Sequence, residues 1–65
     1  MKRFRCFFIN NDDTVGSFEP LEVKRDEDAI LKAEAMLRSQ YSASAAEVWA
    51  GGHLLARIQR PGHWI

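Results

Sequence analysis

Five side chains in this sequence have the chemistry for catalysis or metal binding: Cys6, His53, His63, Asp12 and Asp13. Cys6 with either histidine would supply a nucleophile and its general base. Such a pair also needs a third group that orients the base, and no residue is identifiable for that role. The place of Cys6 in an aromatic-rich strand predicts a small buried apolar side chain instead. We therefore expect no catalytic residue, and an enzymatic role remains only as an alternative.

The sequence also predicts no metal and no cofactor. Structural zinc sites usually bring paired ligands two to four residues apart, whereas the cysteine and the histidines are scattered along this chain. The run from Asn10 to Thr14 lacks the glycine and the terminal glutamate of a calcium loop. Gly51-Gly52 lacks the lysine and the strand-to-helix context of a phosphate loop. Turn and helix-cap roles explain these residues.

One pattern indicates binding to a polyanion. Arg3, Arg5 and Phe7 share one side of the first predicted strand, and Arg57 lies on a later strand. A basic sheet surface with an exposed aromatic ring is typical of proteins that stack nucleic-acid bases. However, the RNA-recognition strand motif needs glycine where this chain has Arg3, and nine acids balance nine bases. Nucleic-acid binding is therefore an alternative to simple ion pairing of these arginines with nearby acids.

Hydrophobic periodicity predicts four strands and one helix in the order β-β-α-β-β. The last two strands form a hairpin, because Gly51-Gly52 can supply the positive φ values of a tight turn. We expect one α+β domain over residues 1–65, with a four-stranded sheet and one helix packed on one face. The predicted elements are strands over 2–9 and 15–24, a helix from Asp26 to about Gln40, and strands over 45–50 and 53–59.

The composition of each strand predicts its place in the sheet. The first strand is the most apolar, so it is expected at the centre. Pro20 cannot donate to a ladder, so the second strand is expected at an edge, with a bulge or break near 18–20. The helix is marked by Asp26 as its cap, by acids in its first turn and by an alanine-rich apolar stripe.

The strands are apolar on both sides, yet one helix about 10 Å wide covers only one sheet face. If Phe4, Cys6 and Phe8 face the helix, then Phe7 and Ile9 cannot. Burying each such side chain contributes about 1.5–3 kcal/mol. The net stability of a domain of this size is only about 3–5 kcal/mol. The second face is therefore expected to need a cover.

The predicted hairpin adds to this surplus. A two-residue loop sets Trp49 opposite Leu54 and Val48 opposite Leu55. In that register Val48, Leu55 and Arg57 lie on the face away from Trp49, together with Phe7 and Ile9 of the first strand. A three-residue loop would shift the register by one and reassign the faces.

The surplus predicts a homodimer that buries the second face or pairs through a sheet edge, hence a small non-enzymatic interaction or regulatory protein. Self-coverage by the C-terminal Trp64 and Ile65 is the competing interpretation. A ligand-binding or catalytic site formed across the dimer interface is a further alternative. The candidate interaction surface comprises Arg3, Arg5, Phe7, Ile9, Val48, Leu55, Arg57 and Trp64.

The cysteine content and the apolar runs bear on location. Cys6 is the only cysteine, which is more typical of a reducing compartment than of secretion. The apolar run from Cys6 to Ile9 is too short for a signal-peptide core or a membrane span. We expect a cytoplasmic protein that does not enter a membrane.

Several features resemble a known group of sequences. These are an aromatic first strand, a polar turn, Leu-x-Val closing strand two, Asp-x-x-Ala opening the helix, and the hairpin Glu47-Val48-Trp49-x-Gly51-x-x-Leu54-Leu55-Ala56-Arg57. Over nearly the whole chain they resemble short uncharacterised proteins of alphaproteobacterial type. His53 departs from that pattern, which usually has arginine there. The resemblance implies a bacterial source and this topology, and it transfers no activity and no functional residue.

Overall fold

The elements follow the predicted order. The computed structural model describes residues 1–60 and contains one antiparallel four-stranded sheet and one helix, so the α+β prediction is confirmed. His63, Trp64 and Ile65 lie outside the described residues, and with them the predicted self-coverage. The elements are β1 (Lys2–Asn10), β2 (Val15–Val23), α1 (Asp26–Arg38), β3 (Ala43–Ala50) and β4 (His53–Gln59).

The strand order is β2-β1-β3-β4, which confirms the central place of β1 and the edge place of β2. Pro20 pairs with Arg5 in an unbroken register, so the bulge expected near 18–20 is wrong. An edge strand tolerates proline where its missing N–H would point away from the neighbouring strand. The irregularity lies instead at Gly16, where a Cβ atom would stand 2.5 Å from Oδ1 of Asn10.

The core lies between α1 and one side of the sheet, called here the helix face. Phe4, Cys6 and Phe8 alternate along β1 and point to this face, and none of them is more than 4% exposed. From α1 come two alanines and a leucine, whose small side chains let the helix lie close to the sheet. The buried cluster comprises Phe4, Cys6, Phe8, Leu21, Ala29, Ala33, Leu37, Ala43, Ala46 and Val48.

Both ends of α1 differ from the prediction of Asp26 as the cap and an end at about Gln40, since α1 ends at Arg38. Arg25, not Asp26, is the N-cap residue, and its side chain makes no capping hydrogen bond. Asp26 instead lies in the first turn, where its negative charge interacts favourably with the helix dipole. Its carboxylate also lies 3.1 Å from Nζ of Lys2. The Arg60 guanidinium donates to the carbonyl of Leu37 at 2.5 Å, and so ties the end of α1 to the residue that follows β4.

The hairpin between β3 and β4 has the predicted two-residue loop, with Ala50 opposite His53 and Trp49 opposite Leu54. The next pair differs, because a bulge lets Val48 pair with Ala56 and leaves Leu55 without a direct partner. A bulge inserts one residue and reverses the alternation beyond it. The expected opposition of Val48 and Leu55 is therefore wrong.

The two loop glycines are not equivalent. Gly51 has φ of 61°, whereas φ of Gly52 is not positive, a pattern typical of a type II′ turn. The expectation that both glycines supply positive φ therefore holds only for Gly51.

We expect Gly51→Ala to lower the free energy of unfolding by about 1–2 kcal/mol, since a Cβ atom disfavours left-handed backbone. Gly52→Ala is the matched control, because neither glycine has an atom within 4 Å of an added Cβ. We expect it to change stability by less than about 0.5 kcal/mol. Urea unfolding of both variants checks this, and equal losses would contradict the assigned turn.

Candidate interaction surface

The side of the sheet turned away from α1 is called here the open face. Strand pairing aligns its residues in cross-strand rows, because directly opposed residues of an antiparallel sheet share a face. One row runs from Phe18 through Phe7 and Glu47 to Arg57, and the next from Pro20 through Arg5 and Trp49 to Leu54. The open face comprises Arg3, Arg5, Phe7, Ile9, Val15, Phe18, Pro20, Glu22, Ala45, Glu47, Trp49, Leu54, Arg57 and Gln59.

Apolar side chains on this face come from all four strands. The rings of Phe7 and Phe18 are in contact, with centroids 5.3 Å apart and planes tilted by 36°. Three large side chains keep much of their surface in water: Val15 at 60%, Phe18 at 48% and Leu54 at 40% exposure. Scattered exposed apolar residues are ordinary, but apolar residues on every strand of one sheet face are typical of an interaction site.

Most charges on the open face are neutralised within the chain. Nε of Arg3 lies 3.0 Å from Glu22, and Nη1 of Arg57 lies 2.6 Å from Oε2 of Glu47. The indole N–H of Trp49 donates to the other oxygen of Glu47 at 3.1 Å. Glu47 therefore holds both Arg57 and the Trp49 ring in place at the middle of the sheet.

Arg5 is the exception among these charges. Its side chain is exposed, and within residues 1–60 it forms no ion pair and no hydrogen bond. Its direct neighbours across the sheet are Pro20 and Trp49, neither of which is charged. A depression of about 410 Å³, bordered by Phe7, Glu47 and Trp49, lies beside it. Among the described residues, Arg5 is thus a cation without a charged partner, beside aromatic side chains of the open face.

The structure brings together most of the predicted surface. Arg3, Arg5, Phe7, Ile9 and Arg57 all lie on the open face, although Ile9 is only 6% exposed beside Ala45. Trp64 lies outside the described residues.

Two predicted members of the surface lie elsewhere. Val48 pairs with Cys6, is fully buried on the helix face, and does not belong to the open face. Leu55 also packs against the core. The expectation for both residues is wrong, because the parity of β3 is set by its pairing with β1, and the bulge turns Leu55 to the other side.

Sequence reasoning left out Phe18, Trp49 and Leu54 from this surface. Pairing of the first hairpin could have placed Phe18 opposite Phe7, since both strands carry an aromatic residue at corresponding positions. No local signal could place Trp49 and Leu54, because their face depends on which residue of β1 lies opposite β3.

Among residues 1–60, the side chains with catalytic or ligating chemistry form no common site. Cys6 is fully buried, and His53 is exposed at the hairpin loop. The Thr14 hydroxyl and backbone N–H donate to Asp12 at 2.6 and 3.2 Å and hold the pKa of Asp12 below its usual value. Within residues 1–60, no group of three or more His, Cys, Asp or Glu side chains is placed to hold a metal ion.

Within the described part of the chain, α1 is not long and apolar enough to cross a membrane. No protein family, curated protein or solved structure matches the chain.

Burial gives Cys6 a testable pH dependence. Loss of hydration, with a smaller contribution from Glu19, raises the pKa of the thiol from 9.0 to about 11. The unfolded chain therefore ionises first as pH rises. The contribution of the thiol to stability is complete below pH 9 and is lost progressively toward pH 11, by about 2–3 kcal/mol.

The measurement is the free energy of unfolding at several values between pH 8 and 11 for the wild type and Cys6→Ala. The alanine variant is expected to be less stable at pH 8, because it leaves a small cavity, but to lose less stability as pH rises. Equal slopes for the two proteins would contradict a buried neutral thiol.

Proposed function

We propose that this protein is a non-enzymatic interaction module that works as a homodimer joined through the open face, in a regulatory or adaptor role. The observation that carries the proposal is that the face turned away from α1 has apolar side chains on all four strands, of which Val15, Phe18 and Leu54 are exposed. The free Cys6 thiol fits the cytoplasmic setting expected from the sequence.

The two sheet edges are poorer candidates for the contact. β2 carries Pro20 and the Gly16 bulge, and β4 carries the bulge at Leu55. Prolines and bulges are the devices by which proteins prevent an edge strand from pairing with another chain. Both edges are therefore protected, which favours a contact between faces over a continuous sheet across two copies.

The size of the open face indicates a weak dimer. Four strands about 4.8 Å apart and about eight residues long give a flat area of roughly 500 Å² per copy. Side-chain relief raises the accessible area above this value, and stable interfaces bury about 600–1,000 Å² per partner. The dimer therefore needs nearly the whole face.

The energetic balance leads to the same conclusion. Removing the remaining exposed surface of Val15, Phe18 and Leu54 contributes about 1 kcal/mol for each side chain, or about 6 kcal/mol for two copies. Association costs at least about 4 kcal/mol in lost freedom of motion. These three side chains alone therefore leave about 2 kcal/mol, which corresponds to a dissociation constant of roughly 30 mM. A dimer that forms at micromolar concentration requires burial of the other side chains of the open face as well.

Phe18→Asp is expected to raise the dimer dissociation constant at least tenfold, because it removes an aromatic anchor and buries a carboxylate. Leu31→Asp is the matched control, since Leu31 is 61% exposed on α1, away from the open face. We expect that variant to dimerise like the wild type. Sedimentation equilibrium from micromolar to submillimolar concentration gives both constants.

Two results would contradict the proposal. The first is a wild type that sediments as a monomer over the whole concentration range. The second is an equal effect of the two aspartate substitutions, because an interface elsewhere, or general loss of solubility, would produce that result.

Single-stranded nucleic acid is a second candidate partner, favoured by Arg5 beside the aromatic rings of the open face, of which that of Phe18 is exposed. The ion pairs of Arg3 and Arg57 with acids weaken this candidate, because they leave one arginine of the face for a phosphate. We expect no measurable binding of a labelled DNA oligonucleotide at low salt by fluorescence anisotropy. Binding whose affinity falls with log[salt] at a slope near −0.7 per phosphate contact would instead favour this function.

A further inference from the structure

The open face has one charge that a second copy must neutralise. Within residues 1–60, Arg5 has no acid or hydrogen-bond acceptor in contact, whereas Arg3 and Arg57 are each paired. A cation enclosed in an interface without an acceptor opposes association strongly. If the proposed homodimer forms, the facing sheet must therefore supply an acceptor for Arg5. This inference rests on the proposed function.

Symmetry limits where that acceptor can lie. The same face of both copies takes part in a two-fold contact, and two sheets that face each other have their axis in the plane between them. The acids available are then those of the open face itself, Glu22 and Glu47. Glu22 is exposed on the edge strand, whereas Glu47 is on β3, beside the central strand.

Glu47 has the capacity to accept a further donor. One of its oxygens accepts from Trp49 and the other from Arg57, and an ionised carboxylate offers about four acceptor positions. Its side chain is 21% exposed, so it is not fully enclosed by its own chain. Glu22, at 59% exposure, would gain less from a partner because water already screens it.

We propose that the two-fold axis runs parallel to the strands between β1 and β3, so that β1 of each copy lies over β3 of the other. Trp49 of the second copy then lies opposite Arg5, with Glu47 of that copy one row away, about 7 Å along the strand. The guanidinium of Arg5 reaches the Glu47 carboxylate and stacks over the indole ring. The contact occurs twice in each dimer.

The substitution Arg5→Leu gives opposite results for a paired and an unpaired arginine. If Arg5 is paired across the interface, its loss raises the dimer dissociation constant about tenfold or more. If Arg5 only stays hydrated at the margin, a leucine adds apolar surface and the dimer becomes tighter or does not change. Within residues 1–60 Arg5 makes no ion pair or hydrogen bond with an acid, so we expect the fold to tolerate the change.

A double-mutant cycle with Glu47→Gln tests the partner. We expect Arg5→Leu and Glu47→Gln each to weaken the dimer. Glu47→Gln also removes the ion pair with Arg57, so we expect the combined variant to dimerise about as weakly as Glu47→Gln alone, because the contact between Arg5 and Glu47 is then already lost. Arg3→Leu and Glu22→Gln form the matched control pair, exposed and already joined within the chain. These controls are expected to change the constant by less than about fivefold.

The outcomes separate this inference from the dimer itself. If Arg5→Leu leaves the dimer dissociation constant unchanged or lowers it, the inference is overturned and the homodimer stays. The same holds if the effects of Arg5→Leu and Glu47→Gln on that constant are independent and multiply in the double variant. A wild type that is monomeric at all concentrations overturns both. Far-UV circular dichroism and thermal unfolding establish that each variant is folded. If Glu47→Gln does not fold, the dimer dissociation constants of Arg5→Lys and Arg5→Leu are compared instead. Lysine keeps the positive charge and is expected to weaken the dimer less than leucine does.

Discussion

One helix can cover one face of a four-stranded sheet, and the rest of this structure depends on how the central strand meets that constraint. β1 places Phe4, Cys6 and Phe8 beneath α1, where none is more than 4% exposed. The same alternation turns Arg5, Phe7 and Ile9 to the other side. Core and open face are therefore two consequences of one strand, and neither can be altered by a register change without the other.

The open face combines apolar area with charges that are mostly satisfied. Arg57 and Trp49 converge on Glu47, which holds an aromatic ring and an ion pair in fixed positions at the middle of the sheet. Fixed side chains lose little freedom on binding, so such a surface is favourable for association although its area is modest. Association would in turn stabilise the fold by mass action, which matters for a domain of about 3–5 kcal/mol net stability. In this way the limited core and the proposed dimer are connected.

Within the described residues, polar groups are used mainly for structure. Asp12 and Thr14 close the first turn by hydrogen bonds, and the side chain of Asn10 occupies the space that a Cβ atom on Gly16 would need. Arg60 donates to the carbonyls of Leu37, Gln40 and Ala43, and so supplies partners at the end of α1 and in the connection to β3. Helix ends always leave carbonyls without intrahelical partners, and a guanidinium can satisfy several at once. The sequence offers no local pattern from which this long-range role of Arg60 follows.

The order of elements, the central place of β1, the edge place of β2 and the opposition of Phe7 to Phe4, Cys6 and Phe8 all follow from the sequence alone. Each depends on local properties: the alternation of side chains along a strand, the helical spacing of apolar residues, and the missing N–H of Pro20. The sequence does not determine whether Val48 or Trp49 faces the helix, because no local property of β3 shows which residue of β1 lies opposite it. The bulge at Leu55 was also not predictable from the sequence, because an extra residue in β4 depends both on packing against the helix face and on pairing with β3. Tertiary structure therefore decided the composition of the open face, which contains Trp49 and Leu54 in place of the predicted Val48 and Leu55.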